Sequence, residues 1–130
     1  MSIPPILSNQ ACAFPANLFH HAKVHNSIVY TTGQIGGDVS GRLVDTQIKG
    51  QAKQTFTNLA TILEAAGSTM DRVLSANIYL TEQADYGDFN EVYTELMPYP
   101  KPPRTCVFVK ALPAGALCEM SLIAAVNEPS

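Results

Sequence analysis

Between Asp45 and Gly67 the apolar residues Ile48, Ala52, Phe56, Leu59, Leu63 and Ala66 recur at intervals of 4, 4, 3, 4 and 3. Those intervals draw one stripe down a helix and cannot occupy one face of a strand. Asp45 is the expected N-cap and Gly67 the C-terminal stop, with Gly50 weakening the first turns. On both sides of this helix the period falls to two. "LFHHAKVHN" and "SIVYTTGQ" read as two strands joined by a tight turn near Asn26, followed by the Gly-rich turn "GGDVSG". "DRVLSANIYLT" puts Leu74, Ala76, Ile78 and Leu80 on one strand face. "ADYGDFNEVYTELM" returns to helical spacing, with Phe89, Val92, Tyr93 and Leu96 as its inner stripe, and the prolines at 98 to 103 stop it. Arg104 to Lys110 and Ala116 to Val126 read as two more strands joined by "ALPAG". The order ββαβαββ predicts an α+β fold, a single mixed β-sheet with two helices packed on one face. One face of such a sheet is left uncovered by its own helices.

The 130 residues fit one domain, 1–130, in which residues 1–16, with Pro4, Pro5 and Pro15, read as an irregular N-terminal arm. Only 15% of residues are charged while 46% are hydrophobic. A small domain with so little charge for its surface is expected to cover apolar area with further copies of itself. The net charge of −3 argues against a nucleic-acid partner, and no apolar run reaches the ~20 residues that span a bilayer. Cys12, Cys106 and Cys118 are an odd count without CxxC spacing. With no signal peptide at the N-terminus, they point to free thiols in a reducing, cytoplasmic setting.

Two charges need a reason. Glu119 is the only charged residue between Lys110 and Glu128, on a strand that is otherwise mostly apolar. A carboxylate there is costly if buried and unpaired. Arg104 opens the other apolar strand. If a hairpin through "ALPAG" pairs Cys106 with Glu119, then Arg104 and Glu119 are diagonal neighbours on one face. A one-residue slip puts them on opposite faces, and the residues alone leave that parity open. They also leave open a plain reading in which both charges are exposed.

"TTGQIGG", "NLATILEAAG", "FNEVYTELM" and "PPRTCVFVKALPAGALCEMSLIA" occur in this order. Together they resemble the Rid family, also called YjgF or L-PSP, across roughly residues 17 to 126. The resemblance implies a chorismate-mutase-like fold, a homotrimer, and active sites in clefts between subunits. It implies hydrolysis of enamines and imines derived from amino acids, 2-aminoacrylate and 2-iminopropionate among them, to 2-keto acids and ammonia, with no cofactor and no metal. Arg104 would grip the substrate carboxylate through its planar fork of donors. Glu119 would orient the attacking water and pass on its proton. The backbone carbonyl of Cys106 would contact the substrate nitrogen. Gly33 would let the backbone approach the ligand, Thr32 stands where serine is usual, and Asn90 matches a pocket asparagine. Phe19 stands where the family commonly has tyrosine, so it is expected as pocket wall only. His20 and His21 replace serine and glutamine beside it, where a histidine could supply a proton near neutral pH.

Other signals point elsewhere or nowhere. His21 and His25 share a strand face but lie about 13 Å apart along it, too far for one ion. "GQIGGDVSG" lacks the GK[ST] of a phosphate loop, and no G-x-S-x-G is present. Two rival functions remain in view. One is a non-catalytic trimer that binds small carboxylates or acts like a chaperone. The other is a ribonuclease or translation inhibitor, which the acidic balance disfavours.

Overall fold

The computed structural model describes residues 5–6, 11–12 and 18–127. Strand β1 (Pro5–Ile6) pairs antiparallel with β2 (Ala22–His25), Pro5 opposite Lys23. The arm expected to be irregular therefore contains one paired segment; apart from 5–6 and 11–12 it lies outside the described residues. β2 turns into β3 (Ile28–Thr31) with His25 opposite Ile28. Asn26 and Ser27 both have positive φ, 52° and 64°. That pair of left-handed residues is what a two-residue type I′ hairpin requires.

Helix α1 (Ile48–Ala65) follows, then β4 (Val73–Leu80), α2 (Tyr86–Leu96), β5 (Arg104–Phe108) and β6 (Cys118–Ala125). The expected ββαβαββ order is present with β1 added in front. All strands join one mixed sheet in the order β1-β2-β3-β6-β4-β5. Among the described strands only β4 and β5 pair in parallel. Both helices pack on one face, over Val29, Ala76, Ile78, Leu80, Met120 and Leu122. From α1, Leu59, Ile62 and Leu63 are fully buried in that layer. Each contributes roughly 1.5–3 kcal/mol of apolar burial. The opposite face carries Tyr30, Tyr79 and Ile123, and no helix among the described residues covers it.

The polar seam of α1 was not anticipated from its apolar stripe. Gln51, Thr55 and Asn58 are all buried on the same helix. Asn58 Nδ2 donates to the carbonyls of Ile35 and Gly37, at 3.1 and 2.8 Å. Gln51 donates through Nε2 to the carbonyl of Asp45 and accepts the amide of Leu117 at 2.8 Å through Oε1. These bonds fix the loop after β3 and the entry to β6 against one rigid rod.

Several local expectations are corrected. Asp45 is not the N-cap: the helix begins at Ile48, Gln47 holds the cap position, and Asp45 accepts the Gln47 amide instead. Its carboxylate fills the space a side chain at position 50 would take, which accounts for Gly50. Leu74 leaves the buried face and is 46% exposed, because the ladder with β6 shifts register between Val73 and Ser75. Leu96 is 37% exposed, while Met97, just past the helix end, is 1% exposed and completes the stripe.

The C-terminal stop of α1 is a Schellman arrangement. The amide of Gly67 donates to Glu64 and that of Ser68 to Leu63, at 3.0 and 2.8 Å. Gly67 has φ +83°, and a Cβ there meets nothing closer than 3.4 Å. The cost of a side chain is therefore conformational, not steric. Gly67→Ala should lose about 1 kcal/mol of stability in urea unfolding, with the fold retained.

Candidate active site

The connection from β5 to β6 decides where the two charges go. Nine residues separate Phe108 from Cys118, too many for a tight hairpin, and β4 lies between the two strands. The connection passes over the end of β4, where Val109 N–H donates to Leu80 O and Thr81 N–H to Leu117 O. Ile78 is thus paired with Cys106 on one side and with Met120 on the other. Arg104 and Cys106 share the helix-covered face with Met120. Glu119, paired with Tyr79, points to the other face. The Cys106–Glu119 pairing that would make the two charges neighbours does not occur, and within one chain Arg104 and Glu119 are on opposite sides of the sheet. Two strand spacings, about 10 Å, also separate their strands. No small acid touches both in a single chain.

The candidate residues fall instead into two clusters. Glu119 shares a cavity of about 370 Å³ with Phe19, Thr32, Gly33, Gln34 and Pro113. A β-bulge makes that cavity. Tyr30 is paired with Ile123 and Gln34 with Met120, so three residues of one strand oppose two of the other. The hydroxyl of Thr31 accepts the amide of Leu122 at 2.9 Å across the irregularity. Thr32 and Gly33 are left beside Glu119. A Cβ on Gly33 would lie 2.8 Å from the Glu119 carboxyl carbon. A side chain at position 33 would displace the end of the Glu119 side chain, so Gly33 leaves the Glu119 carboxyl where it lies. Burial pushes the Glu119 carboxyl above its ordinary range.

The second cluster surrounds Arg104. Its Nη2 donates to Asn90 Oδ1 at 2.8 Å and to Tyr86 Oη at 3.3 Å. Its Cζ lies 4.6 Å from the centroid of the Tyr93 ring. Nη1 is enclosed and has no hydrogen-bond partner among the described residues. Asn90 thus reaches the guanidinium itself. Cys106 lies two residues along the same strand face, half-buried, and burial raises its thiol pKa against the opposing pull of Arg104. Burial likewise raises Cys12, and Cys118 is pushed up to about 11. Cys106 and Cys118 are free thiols.

The histidines divide. His21 is buried and its ring Nε2–H donates to the Cys12 carbonyl at 3.0 Å, a structural bond. His20 lines a shallower hollow next to Phe19. "GGDVSG" is a turn held by Asp38, whose Oδ1 accepts the amides of Ser40 and Arg42 and the Ser40 hydroxyl. Tyr86 and Tyr93 were missed as site residues. Both belong to the α2 segment, and Tyr93 falls on its apolar stripe, which gives no sign of a face toward Arg104.

The raised pKa of Glu119 has a thermodynamic consequence. Its folded carboxyl binds a proton more tightly than the unfolded one, whose ordinary value is 4.5. Stability from this group is full below that value and falls as pH rises through the folded pKa. Glu119→Gln should therefore melt higher than the wild type at pH 7. The gap should close as pH is lowered toward 4.5, in melting curves run at one protein concentration.

The chain is similar to proteins of known kind over nearly its whole length. The family model described as Endoribonuclease L-PSP matches residues 10–126. Protein HMF1 of Saccharomyces cerevisiae is 37% identical over 127 residues, 98% of each chain. A 2-iminobutanoate/2-iminopropanoate deaminase of Dermatophagoides farinae is 32% identical over 128 residues, 98% of this chain and 100% of that one. The crystal structure of RidA from an Antarctic Psychrobacter superposes with a TM-score of 0.88 at 32% identity, covering 95% of this chain and 99% of the other. No helix among the described residues is long and apolar enough to cross a membrane. With a matched model over residues 10–126 and a sheet-and-helix layer shared with a RidA structure, the chain belongs to the Endoribonuclease L-PSP family, the Rid proteins.

Proposed function

We propose that this protein hydrolyses small amino-acid-derived imines, of the 2-iminopropanoate and 2-iminobutanoate kind, to 2-keto acids and ammonia. It works as a homotrimer in a reducing compartment such as the cytoplasm, with each site drawn from two copies. The observation that carries this reading is the pair of incomplete clusters. A guanidinium already held by Asn90 is an anion anchor without a base. A desolvated carboxyl in a cavity is a base without an anchor. The uncovered sheet face supplies the surface on which copies would meet. The mite relative described as a deaminase supports the same chemistry.

In this mechanism Arg104 of one copy binds the substrate carboxylate and Glu119 of its neighbour takes a proton from water. Oxygen bonds to the imine carbon as the C=N π pair moves to nitrogen. The proton held by Glu119 passes to that nitrogen to give a carbinolamine; Glu119 then relays the hydroxyl proton to the same nitrogen, the C–N bond breaks, and ammonia leaves as the C=O forms. Desolvation suits Glu119 to the task, since a base with a raised pKa accepts a proton more readily. Enamine substrates must first tautomerise to the imine. Phe19 and Thr32 form the wall beside the reacting carbon, Gly33 leaves room for the carboxyl, and the Cys106 carbonyl faces the substrate nitrogen. Asn90 acts through Arg104 by fixing one guanidinium nitrogen.

Charge weighs against a ribonuclease, despite the family's name. The chain carries −3 overall, and nonspecific RNA binding draws its free energy from cationic contacts.

Release of keto acid from imines generated in situ by a dehydratase should exceed the buffer rate; no acceleration with several such imines would end the proposal. Arg104→Ala should lose about ten- to hundredfold in kcat/KM, the worth of a charge-assisted contact. Arg104→Ala and Glu119→Gln proteins, unfolded and refolded together, should recover activity that neither has alone. Failure to recover, with wild-type refolding intact, would place both groups in one chain's site and contradict the shared cleft.

A further inference from the structure

The ring beneath Arg104 has no part in the chemistry above. Tyr93 is 6% exposed. Phe56 of α1 meets its ring at 5.9 Å and 70°, and Phe89 of α2 lies tilted at 6.3 Å. Two core aromatics therefore fix the plane of the Tyr93 ring. Its hydroxyl is buried and has no hydrogen-bond partner among the described residues. The ring is neutral: burial raises the phenol pKa, although Arg104 pulls it the other way. Arg104 Cζ lies 4.6 Å above it. Lys101 Nζ is farther, at 6.0 Å, and is occupied in donating to the carbonyls of Thr94 and Met97 at the end of α2.

We propose that Tyr93 is a positioning residue for carboxylate recognition, its π face holding the Arg104 guanidinium in the plane that meets the substrate. This rests on the reading of Arg104 as the carboxylate anchor. An arginine has many rotamers, and affinity falls by the fraction of time spent outside the competent one. Asn90 and Tyr86 both bind the same nitrogen, Nη2, and leave the Nη1 end of the group unheld by any hydrogen bond among the described residues. A ring held from below supplies the second constraint.

Fluorination separates this role from packing. It withdraws electron density from a ring face, weakening its hold on a cation, with little change in ring size. The series is Tyr93→Phe followed by replacement of Tyr93 with mono-, di- and trifluorophenylalanine, with Tyr93→Leu alongside. The readouts are KM and kcat for a 2-iminobutanoate-type imine, Kd for pyruvate, and Tm. Tyr93→Phe should keep KM and Kd within about twofold, because the ring face remains. Fluorination should then raise both stepwise, to about three- to tenfold at the trifluoro ring, with kcat moving less and Tm steady. Tyr93→Leu should be at least as impaired, and phenylalanine at the same position should rescue it. If the leucine variant does not fold, the fluorinated series decides alone. A flat series would overturn the proposal, as would a phenylalanine variant as impaired as leucine, which would assign the role to the hydroxyl. Wild-type protein that neither turns over imines nor binds pyruvate would remove the anchor reading and this inference together. Wild-type protein that does both, with a flat series, would remove this inference alone.

Discussion

β4 is hydrogen-bonded along both edges, parallel to β5 and antiparallel to β6. That double pairing sets the address of every chemical group discussed above. Side chains alternate along a strand, so one shared partner, Ile78, ties the parity of β5 to that of β6. Arg104 must then face the helices and Glu119 must face away. Each side also receives a different environment. The guanidinium is handed to α2, which supplies Asn90, Tyr86 and Tyr93. The carboxyl is handed to the bulge between β3 and β6. In the proposed mechanism, a sheet that separates the two charges in this way brings anchor and base together only where two molecules meet.

The helix face does more than fill space. The apolar stripe of α1 supplies burial, but its buried amides position the walls of the Glu119 cavity. Asn58 holds the carbonyls of Ile35 and Gly37, and Gln51 holds the amide of Leu117, two residues before Glu119. Losing either would leave backbone groups unpaired in a low-dielectric layer, where each costs about 1–3 kcal/mol. A polar seam of this kind resists sliding, because its bonds have fixed partners where apolar contacts have many. The cavity therefore inherits the rigidity of an 18-residue helix.

Much of this was readable from the chain. The periods of α1 and α2, the turn at Asn26 and the stop at Gly67 all follow from local chemistry, and the structure has them. The motifs around Arg104 and Glu119 led to the family, and the Glu119 cavity does gather Phe19, Thr32 and Gly33. What was not readable is pairing. Two strands adjacent in sequence were expected to form a hairpin, yet a nine-residue link carries the chain across β4, and no local residue announces that crossing. Leu74 was misplaced for a similar reason, since a register shift depends on the partner strand. The seam of α1 was within reach: Gln51, Thr55, Asn58 and Ile62 follow intervals of 4, 3 and 4, a second stripe beside the apolar one. Tyr93 satisfied the core pattern so well that its face toward Arg104 went unseen.

The bulge at Thr31–Gly33 limits how such a protein can diversify. Adding or removing a single residue there would invert which side of the sheet Gln34 and its successors address. Segment length at the cavity rim is thus frozen by geometry, and only the identity of its occupants is free to vary. New ligand preferences must arise by exchanging one side chain for another along a path of constant length, never by insertion.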